Sequence, residues 1–204
     1  DIDPVRFIGN RSTGKMGYAL ARRAKARGAE VTLVSGPTDI DEHEGIEVIS
    51  VRSAREMHSV CVKSFETSDV AILAAAVSDY RPTEFLGEKI KRSESNISLD
   101  LIENPDIAAD LGACKGKRKT VLFAMETDSD LSNAKDKLIR KHGDLIVMNN
   151  LFVEGAGFGH DTNVVTIIDR FGKIKELPKI SKDKVADNVL DCLLAIIQKD
   201  TSCG

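Results

Sequence analysis

Residues 9–17 read Gly-Asn-Arg-Ser-Thr-Gly-Lys-Met-Gly and stand directly before a run of helix-forming residues that begins at Tyr18. Glycines, hydroxyls and cations in one short stretch are the parts of a polyanion site. Glycine allows the backbone to come close to a phosphate, and the N–H groups of a helix start supply donors with partial positive charge. The stretch therefore predicts a phosphate-binding loop, with a loop that only caps the helix as the competing interpretation.

Two glycine-rich stretches match known phosphate motifs only in part. Gly9-x4-Gly14-Lys15 follows the P-loop pattern, but Met16 replaces the hydroxyl residue that binds Mg²⁺ in P-loop enzymes. Residues 155–159 resemble half of a dinucleotide fingerprint, yet a predicted strand follows them where that motif has a helix. A P-loop enzyme is therefore disfavoured, and an NAD(P)-dependent reductase on the same fold stays as an alternative.

The composition is that of a globular protein without a strong charge bias. The chain has 204 residues, 42% of them hydrophobic and 30% charged, and its formal net charge is −3. An aromatic fraction of 4% and the lack of Trp remove the usual base-stacking surfaces, so nucleic-acid binding is disfavoured. No apolar run reaches membrane-spanning length and no signal peptide opens the sequence, which predicts a cytoplasmic protein without a membrane partner. The length suits a single domain over residues 1–204.

The four cysteines and four histidines are dispersed along the chain. No Cys-x-x-Cys pair occurs, so neither a zinc site nor a disulfide framework is indicated. No spacing favours a catalytic Cys–His pair, and reduced, buried thiols are expected instead. The sequence thus offers neither a clear side-chain nucleophile nor a clear side-chain metal site.

The elements that must position the glycine stretch alternate between helices and apolar strands. The first half of the chain is predicted to form a helix over residues 14–27, strands over 29–35 and 46–51, a helix over 53–65 and a buried strand over 70–77. This alternation predicts an α/β fold with a doubly wound, mainly parallel sheet, in which ligands bind beyond the carboxyl ends of the strands. Only residues 5–8 are extended before the glycine stretch, so we expect a further strand upstream.

The alternation is interrupted after the fifth of these elements. Residues 81–102 form an excursion that carries Lys89 and a strand predicted over 97–102, which indicates an inserted hairpin serving as a lid, a dimer contact or both. Asn104 caps the next helix and Pro105 opens it, so unpaired N–H groups that suit a phosphate are expected there. Further strands are predicted over residues 120–126, 144–148, 163–169 and 173–177, and helices over 130–142 and 181–199.

Six motifs run in order through nearly the whole chain. They begin at Asp3, Ala74, Glu88, Glu103, Phe123 and Gly157 and read Asp-Pro-Val-Arg-Phe-Ile-Gly-Asn-Arg-Ser-Thr-Gly-Lys-Met-Gly, Ala-Ala-Ala-Val-Ser-Asp-Tyr-Arg-Pro, Glu-Lys-Ile-Lys-Arg, Glu-Asn-Pro-Asp-Ile, Phe-Ala-Met-Glu-Thr and Gly-Phe-Gly-His-Asp-Thr-Asn. Together they resemble the phosphopantothenoylcysteine synthetase family of coenzyme A biosynthesis. Six motifs in the family's order are far more specific than any single glycine pattern.

The resemblance implies a Rossmann-like homodimer that joins 4′-phosphopantothenate to L-cysteine with CTP and Mg²⁺. The substrate carboxylate would attack the α-phosphate of CTP to give an acyl-cytidylate and pyrophosphate, and the cysteine amine would then displace CMP. Such chemistry needs positioned cations and donors more than a protein nucleophile, in agreement with the residues available here. A nucleotide-sensing module without turnover is a further alternative. The sequence leaves the choice among CTP, ATP and UTP open.

The resemblance also assigns roles to single residues. Asn10 matches an asparagine that contacts the acyl-nucleotide intermediate, and Lys89 matches a lysine that reaches over the triphosphate; both are expected at the reacting groups. Arg6 and Ser12 are expected beside the substrate, Arg6 at its phosphate. The nucleotide contacts are expected at Ala74, Ala75, Asp79, Lys89, Pro105, Asp106, Ile107, Ala108, Phe123, Lys137 and Lys141. A solvated helix face is the competing interpretation of the last two lysines. Mg²⁺ is expected to be carried by the triphosphate, with no side chain assigned to it.

The sequence departs from the family pattern in three ways. The family's first strand and its Gly-Gly-Thr-type loop do not precede Asp3, and Met125 stands where a small residue is common. Met125 is therefore expected to narrow the pocket slightly. A flavin-dependent decarboxylase domain, often fused upstream in the family, is not part of this sequence. We expect it as a fused or separate partner and do not assign decarboxylation to this chain.

Overall fold

The computed structural model describes residues 1–40, 44–91, 96–126, 131–150 and 160–202. Within these ranges the chain forms five helices and nine strands. The helices are α1 (Lys15–Ala26), α2 (Ala54–Phe65), α3 (Ile107–Cys114), α4 (Leu131–Arg140) and α5 (Lys182–Ser202). The strands are β1 (Thr32–Ser35), β2 (Glu47–Ser50), β3 (Val70–Leu73), β4 (Tyr80–Pro82), β5 (Leu101–Glu103), β6 (Lys119–Glu126), β7 (Leu145–Asn150), β8 (Thr162–Asp169) and β9 (Ile174–Ser181).

A five-stranded sheet in the order β3-β6-β7-β8-β9 forms the centre of the described chain. β3, β6 and β7 are parallel, with Leu73 opposite Leu122 and Phe123 opposite Val147, and the antiparallel strands β8 and β9 complete one edge. β1 and β2 form a separate parallel pair, and β4 and β5 form a short antiparallel pair. These pairings confirm the predicted α/β fold with a mainly parallel sheet and an inserted hairpin.

Helices cover both faces of the central sheet, as a doubly wound fold requires. One face packs against α1 and α5 in a cluster that includes Leu20, Val147 and Val189. The opposite face packs against α4 in a cluster that includes Leu122 and Leu138. Successive residues of β6 and β7 therefore point to opposite sides, and both sides are apolar because both are buried.

Four predicted strands are shorter in the structure than in the prediction, β2 (Glu47–Ser50) by one residue at each end. β1 begins at Thr32, β3 ends at Leu73, and β5 contains only Leu101–Glu103. Residues 96–100 are exposed and lie outside any strand, so the strand predicted over 97–102 was wrong for most of its length. In the part of the chain that the structure describes, residues 97–100 pair with no strand, because the short β4 pairs only with Leu101–Glu103. Alternation of apolar and polar residues alone does not bury a strand.

Two helix starts show how local sequence sets the element boundaries. Gly14 is the N-cap of α1 with a φ of 74°, a left-handed conformation that glycine adopts without strain. At α2 the Ser53 side chain accepts the Glu56 N–H at 3.2 Å, and the Glu56 carboxylate accepts the Arg52 N–H at 2.9 Å. These reciprocal bonds cap the N-terminus of α2 in the manner of a capping box.

The amino end of the parallel strands is held by Asp144, whose side chain is fully buried. Its carboxylate accepts bonds from the Lys115 ammonium at 2.7 Å, the Arg170 guanidinium at 2.7 Å and the Thr120 N–H at 2.9 Å. These bonds join the end of α3, the start of β6 and the turn between β8 and β9. Asp144 is thus a structural carboxylate at the edge of the sheet opposite the carboxyl ends.

Candidate functional site

Asn10 lies against the loop that follows β3. Its Nδ2 atom donates to the carbonyl oxygens of Ala76 at 3.3 Å and of Val77 at 3.1 Å. Because both neighbours are acceptors, the amide nitrogen must face them. This contact places the glycine stretch at the carboxyl end of β3, next to Ala74 and Ala75. Asn10, which is expected at the reacting groups, and the positions after β3 that are expected to bind the nucleotide therefore lie together.

Asn104 joins the same loop to the start of α3. Its Nδ2 atom donates to the Ser78 carbonyl at 2.8 Å, and its backbone N–H donates to the Asp79 carbonyl at 2.8 Å. The sequence prediction that Asn104 caps α3 was wrong, because its side chain is used to brace this loop. Asp106 is the N-cap instead, so the helix starts two residues later than predicted.

The start of α3 carries an ion pair. The Asp106 carboxylate accepts the Ala109 N–H at 3.1 Å, and the Lys141 ammonium lies 3.0 Å and 2.9 Å from its two oxygens. Burial raises the pKa of Asp106, but the bonds from Lys141 and from the helix start outweigh it and hold this pKa below its ordinary value. The expectation of unpaired N–H groups at this helix start was therefore wrong at Ala109. The helix's own carboxylate already uses that donor.

The N-terminal turn holds the segment that carries Lys89. The Asp3 carboxylate accepts the N–H groups of Val5 and Arg6, each at 2.8 Å, and the N–H of Ile90 at 3.1 Å. The Nη2 atom of Arg6 lies 2.8 Å from Asp3 Oδ2 and donates to the Ile90 carbonyl at 2.6 Å. Lys89 itself is exposed, directly before this fixed neighbour.

Asp3 is a residue beside the candidate site whose structural role sequence reasoning missed. Its side chain has no exposed surface. Burial raises the pKa of Asp3, but the N–H donors of Val5, Ile90 and Arg6 and the Arg6 charge outweigh it and lower this pKa. An Asp-Pro pair in the sequence signals a turn, which was the available hint. The pair does not show that the carboxylate is buried and bound to a distant segment.

Two further residues of the glycine stretch, Ser12 and Lys15, contact other groups of the same chain. Ser12 is exposed, and its Oγ atom lies 3.5 Å from the Gly14 N–H. The Lys15 ammonium lies 2.7 Å from Asp161 Oδ1, and this bond lowers the pKa of Asp161. A P-loop lysine contacts phosphate, so the pairing of Lys15 with Asp161 agrees with the sequence argument against a P-loop.

The other positions that are expected to bind the nucleotide lie partly in the core and partly on the surface. Ala74 and Phe123 are half-buried and pack against the cluster of α1 and α5. Ile107 is buried and Ala108 packs against the α4 cluster, so their backbones rather than their side chains can meet a ligand. Ala75 and Asp79 are exposed, Pro105 is half-buried, and Lys137 lies one helical turn before Lys141.

Two sequence expectations concern the rim of the site. Met125 is 38% exposed near the end of β6, at the same edge as the loop after β3. The fingerprint-like residues 155–159 lie outside the described residues.

In the described ranges, no group of three or more His, Cys, Asp or Glu side chains is arranged to hold a metal ion. None of the helices found there is long and apolar enough to cross a membrane.

Comparison with known proteins matches residues 1–197 to the family described as DNA/pantothenate metabolism flavoprotein C-terminal domain. The chain belongs to this family. The coenzyme A biosynthesis bifunctional protein CoaBC of Bacillus subtilis (strain 168) is 43% identical over 96% of the chain and 48% of its own length. A cysteine/cysteine sulfinic acid decarboxylase from an unknown prokaryotic organism is 47% identical over 96% of the chain and 55% of its own length. The chain thus spans about half the length of these relatives.

Solved structures share the fold of this C-terminal domain. The crystal structure of the C-terminal domain of CoaBC is 38% identical, covers 98% of this chain and 92% of its own, and has a TM-score of 0.82. A mutant of Cab2 in complex with phosphopantothenate-cysteine has a TM-score of 0.70 at 17% identity and covers 97% of this chain and 83% of its own. The first match confirms the family that the motifs indicated, and the second confirms the fold.

Proposed function

We propose that this C-terminal domain is a cytoplasmic phosphopantothenate–cysteine ligase of coenzyme A biosynthesis. In the proposed reaction, a carboxylate oxygen of 4′-phosphopantothenate attacks the α-phosphorus of CTP, and pyrophosphate leaves. The amine of L-cysteine then attacks the acyl carbon of the acyl-cytidylate, an amide bond forms, and CMP leaves with the attacking oxygen. The observation that supports the proposal is the contact of Asn10 with the Ala76 and Val77 carbonyls, which joins the first of the six motifs to the second.

Asn10 is proposed to hold the acyl group of the intermediate. An amide can donate to an oxygen that gains negative charge without needing a particular pKa. The Nδ2 atom carries two hydrogens, and it faces the Ala76 and Val77 carbonyls in this structure. The role therefore requires one hydrogen to turn toward the acyl oxygen while the other keeps the loop in place. Arg6 and Ser12 are proposed to lie on the phosphopantothenate side.

The nucleotide is proposed to bind between the loop after β3 and the start of α3. Lys89 supplies an exposed ammonium for the triphosphate, and Lys141, which is half-buried and paired with Asp106, supplies a second charge at the helix start. Asp106 is an acceptor and suits a hydroxyl or amino group of the nucleoside better than a phosphate. Mg²⁺ is proposed to arrive on the triphosphate and to offset its charge. Backbone groups at Ala74, Ala75, Pro105 to Ala108, with Asp79, Phe123 and Lys137, complete the proposed contacts.

The chain is also proposed to form a homodimer through the excursion. Phe85 is 58% exposed and Ile97 is 53% exposed, and Leu99, Leu101 and Ile102 are exposed nearby. A cluster of exposed apolar side chains of this kind marks an interaction surface. We expect sedimentation equilibrium to give twice the chain mass and expect Phe85→Asp to shift the protein toward the monomer. A monomer at all concentrations would contradict this part of the proposal.

Residues 1–204 are proposed to act as one domain beside a flavin decarboxylase domain, either fused or separate. Two observations support this: the chain spans about half of the CoaBC relatives, and their name includes the word bifunctional. Decarboxylation is assigned to that other domain and not to this chain.

The proposed function is tested by leaving out the second substrate. Protein, CTP, Mg²⁺ and 4′-phosphopantothenate are mixed without cysteine, and mass spectrometry is used to look for the acyl-cytidylate. We expect the intermediate with an equal amount of pyrophosphate. With Asn10→Asp we expect pyrophosphate release to continue in part, while the amide product forms slowly once cysteine is added. Equal loss of both steps would show that Asn10 has no special part in the second step.

Other outcomes identify the alternatives. CTP binding without pyrophosphate release under full substrate conditions would indicate a nucleotide-sensing module. If NADPH but not CTP protected the protein against unfolding, a reductase would be indicated. Competition among CTP, ATP and UTP in the pyrophosphate assay decides the base preference, for which we expect CTP.

A further inference from the structure

Lys89 lies between β4 and β5 on a segment without regular secondary structure, so a helix or strand does not set its position. The backbone on both sides of Lys89 is instead bound to the N-terminal turn. The Leu86 N–H donates to the Ile2 carbonyl at 2.9 Å. Ile90, the residue directly after Lys89, is bound through both its N–H and its carbonyl.

Asp3 is the centre of this attachment. Its Oδ1 atom accepts the N–H groups of Val5 and Arg6, which closes the turn. Its Oδ2 atom accepts the Ile90 N–H and contacts the Arg6 guanidinium, which in turn donates to the Ile90 carbonyl. The arrangement needs two acceptor oxygens and a negative charge. An amide of the same size has one acceptor oxygen and no charge, so it cannot keep all of these bonds.

We propose that Asp3 is a positioning residue that fixes Lys89 and the Asn10 stretch relative to each other at the nucleotide end of the site. This inference rests on the proposed function, because it takes Lys89 as a nucleotide-binding residue. Asp3 acts on Lys89 through Ile90, and the turn that its carboxylate closes leads along the chain to Asn10. A misplacement of about 1 Å at a reacting centre costs up to about 100-fold in rate, so bonds that a buried carboxylate makes at this point matter for function.

The test is a double-mutant cycle on CTP affinity, measured by isothermal titration calorimetry with CTP and Mg²⁺. Lys89→Gln removes a charge-assisted contact and should weaken CTP binding about tenfold or more. Asp3→Asn should weaken it at least about threefold, because Lys89 is no longer held in place. The double variant should bind CTP no more weakly than Lys89→Gln alone. If Asp3→Asn weakens binding by the same factor with and without Lys89, the proposal is overturned.

Asp144→Asn is the matched control. Asp144 is also a fully buried aspartate with a backbone donor and cationic partners, but it lies at the opposite edge of the sheet. This variant should lower the unfolding temperature at least as much as Asp3→Asn does, while CTP affinity stays within about twofold. Equal losses of affinity in the two variants would show that Asp3 acts only through overall stability.

Amide hydrogen exchange tests the attachment without any variant. In the unsubstituted protein, the Ile90 N–H should exchange at least about tenfold more slowly than the Lys89 N–H, because the buried Asp3 carboxylate accepts it. Equal exchange at the two positions would overturn the proposal even if Asp3→Asn does not fold. Failure of the unsubstituted protein to bind CTP would instead count against the proposed function. The exchange result would still show whether Asp3 holds the segment at Ile90.

Discussion

Replacing Gly112 by alanine should separate α3 from the end of α4. A Cβ atom at Gly112 would lie 2.0 Å from the carbonyl oxygen of Lys141 and 3.0 Å from its carbonyl carbon. Non-bonded heavy atoms need roughly 3.5 Å, so one backbone must move by about 1.5 Å. Overpacking of this kind costs about 1–3 kcal/mol, which exceeds the gain of about 0.5–1 kcal/mol from replacing a helical glycine.

Gly17→Ala provides the matched comparison, because Gly17 is also helical and a Cβ there meets nothing within 4 Å. Urea unfolding followed by circular dichroism should show Gly17→Ala more stable than the unsubstituted protein by about 0.5–1 kcal/mol. Gly112→Ala should be less stable, and it should also lose CTP affinity because α3 carries Asp106 to the proposed nucleotide site. A Gly112→Ala protein as stable as the unsubstituted one would refute the packing argument.

Three further outcomes are expected from single changes. Ser53→Ala should lower the free energy of unfolding by about 1 kcal/mol in urea titration, because α2 loses its N-cap. Lys141→Met should raise the pKa of Asp106, which carboxyl NMR would detect, since burial raises this pKa and the Lys141 bond and charge are among the contacts that lower it. The pKa of Asp187 is lowered by bonds from Arg23 and then Arg27. Asp187 therefore contributes stability above its unfolded pKa and loses it as the pH falls through its folded pKa, so Asp187→Asn should flatten the acid limb of stability against pH.

The sequence predicted the central elements because their patterns are local. Near-continuous apolar runs marked β3, β6 and β7, which are covered by helices on both faces, and the cap at Ser53 marked the start of α2. The strand predicted over residues 97–102 failed because burial depends on a partner strand, which local alternation does not supply.

The site was predicted less completely because its organising bonds are long-range. Asn104 looked like a helix cap, and only the structure shows its amide committed to Ser78. The Asp3 carboxylate binds the Ile90 N–H across 87 positions, a relation that no spacing rule reveals. Residues whose type fixes their chemistry, such as Asn10 and Lys89, could be named from the motifs, whereas those that hold them in place could not.

The most direct test of the central claim follows one oxygen atom. With 4′-phosphopantothenate labelled by oxygen-18 in its carboxylate, the proposed attack on the α-phosphorus transfers one labelled oxygen to CMP when cysteine displaces it. We predict that mass spectrometry of the CMP formed will show a single oxygen-18 and that the pyrophosphate will carry none. Unlabelled CMP, or label found in inorganic phosphate, would contradict an acyl-cytidylate formed in this site.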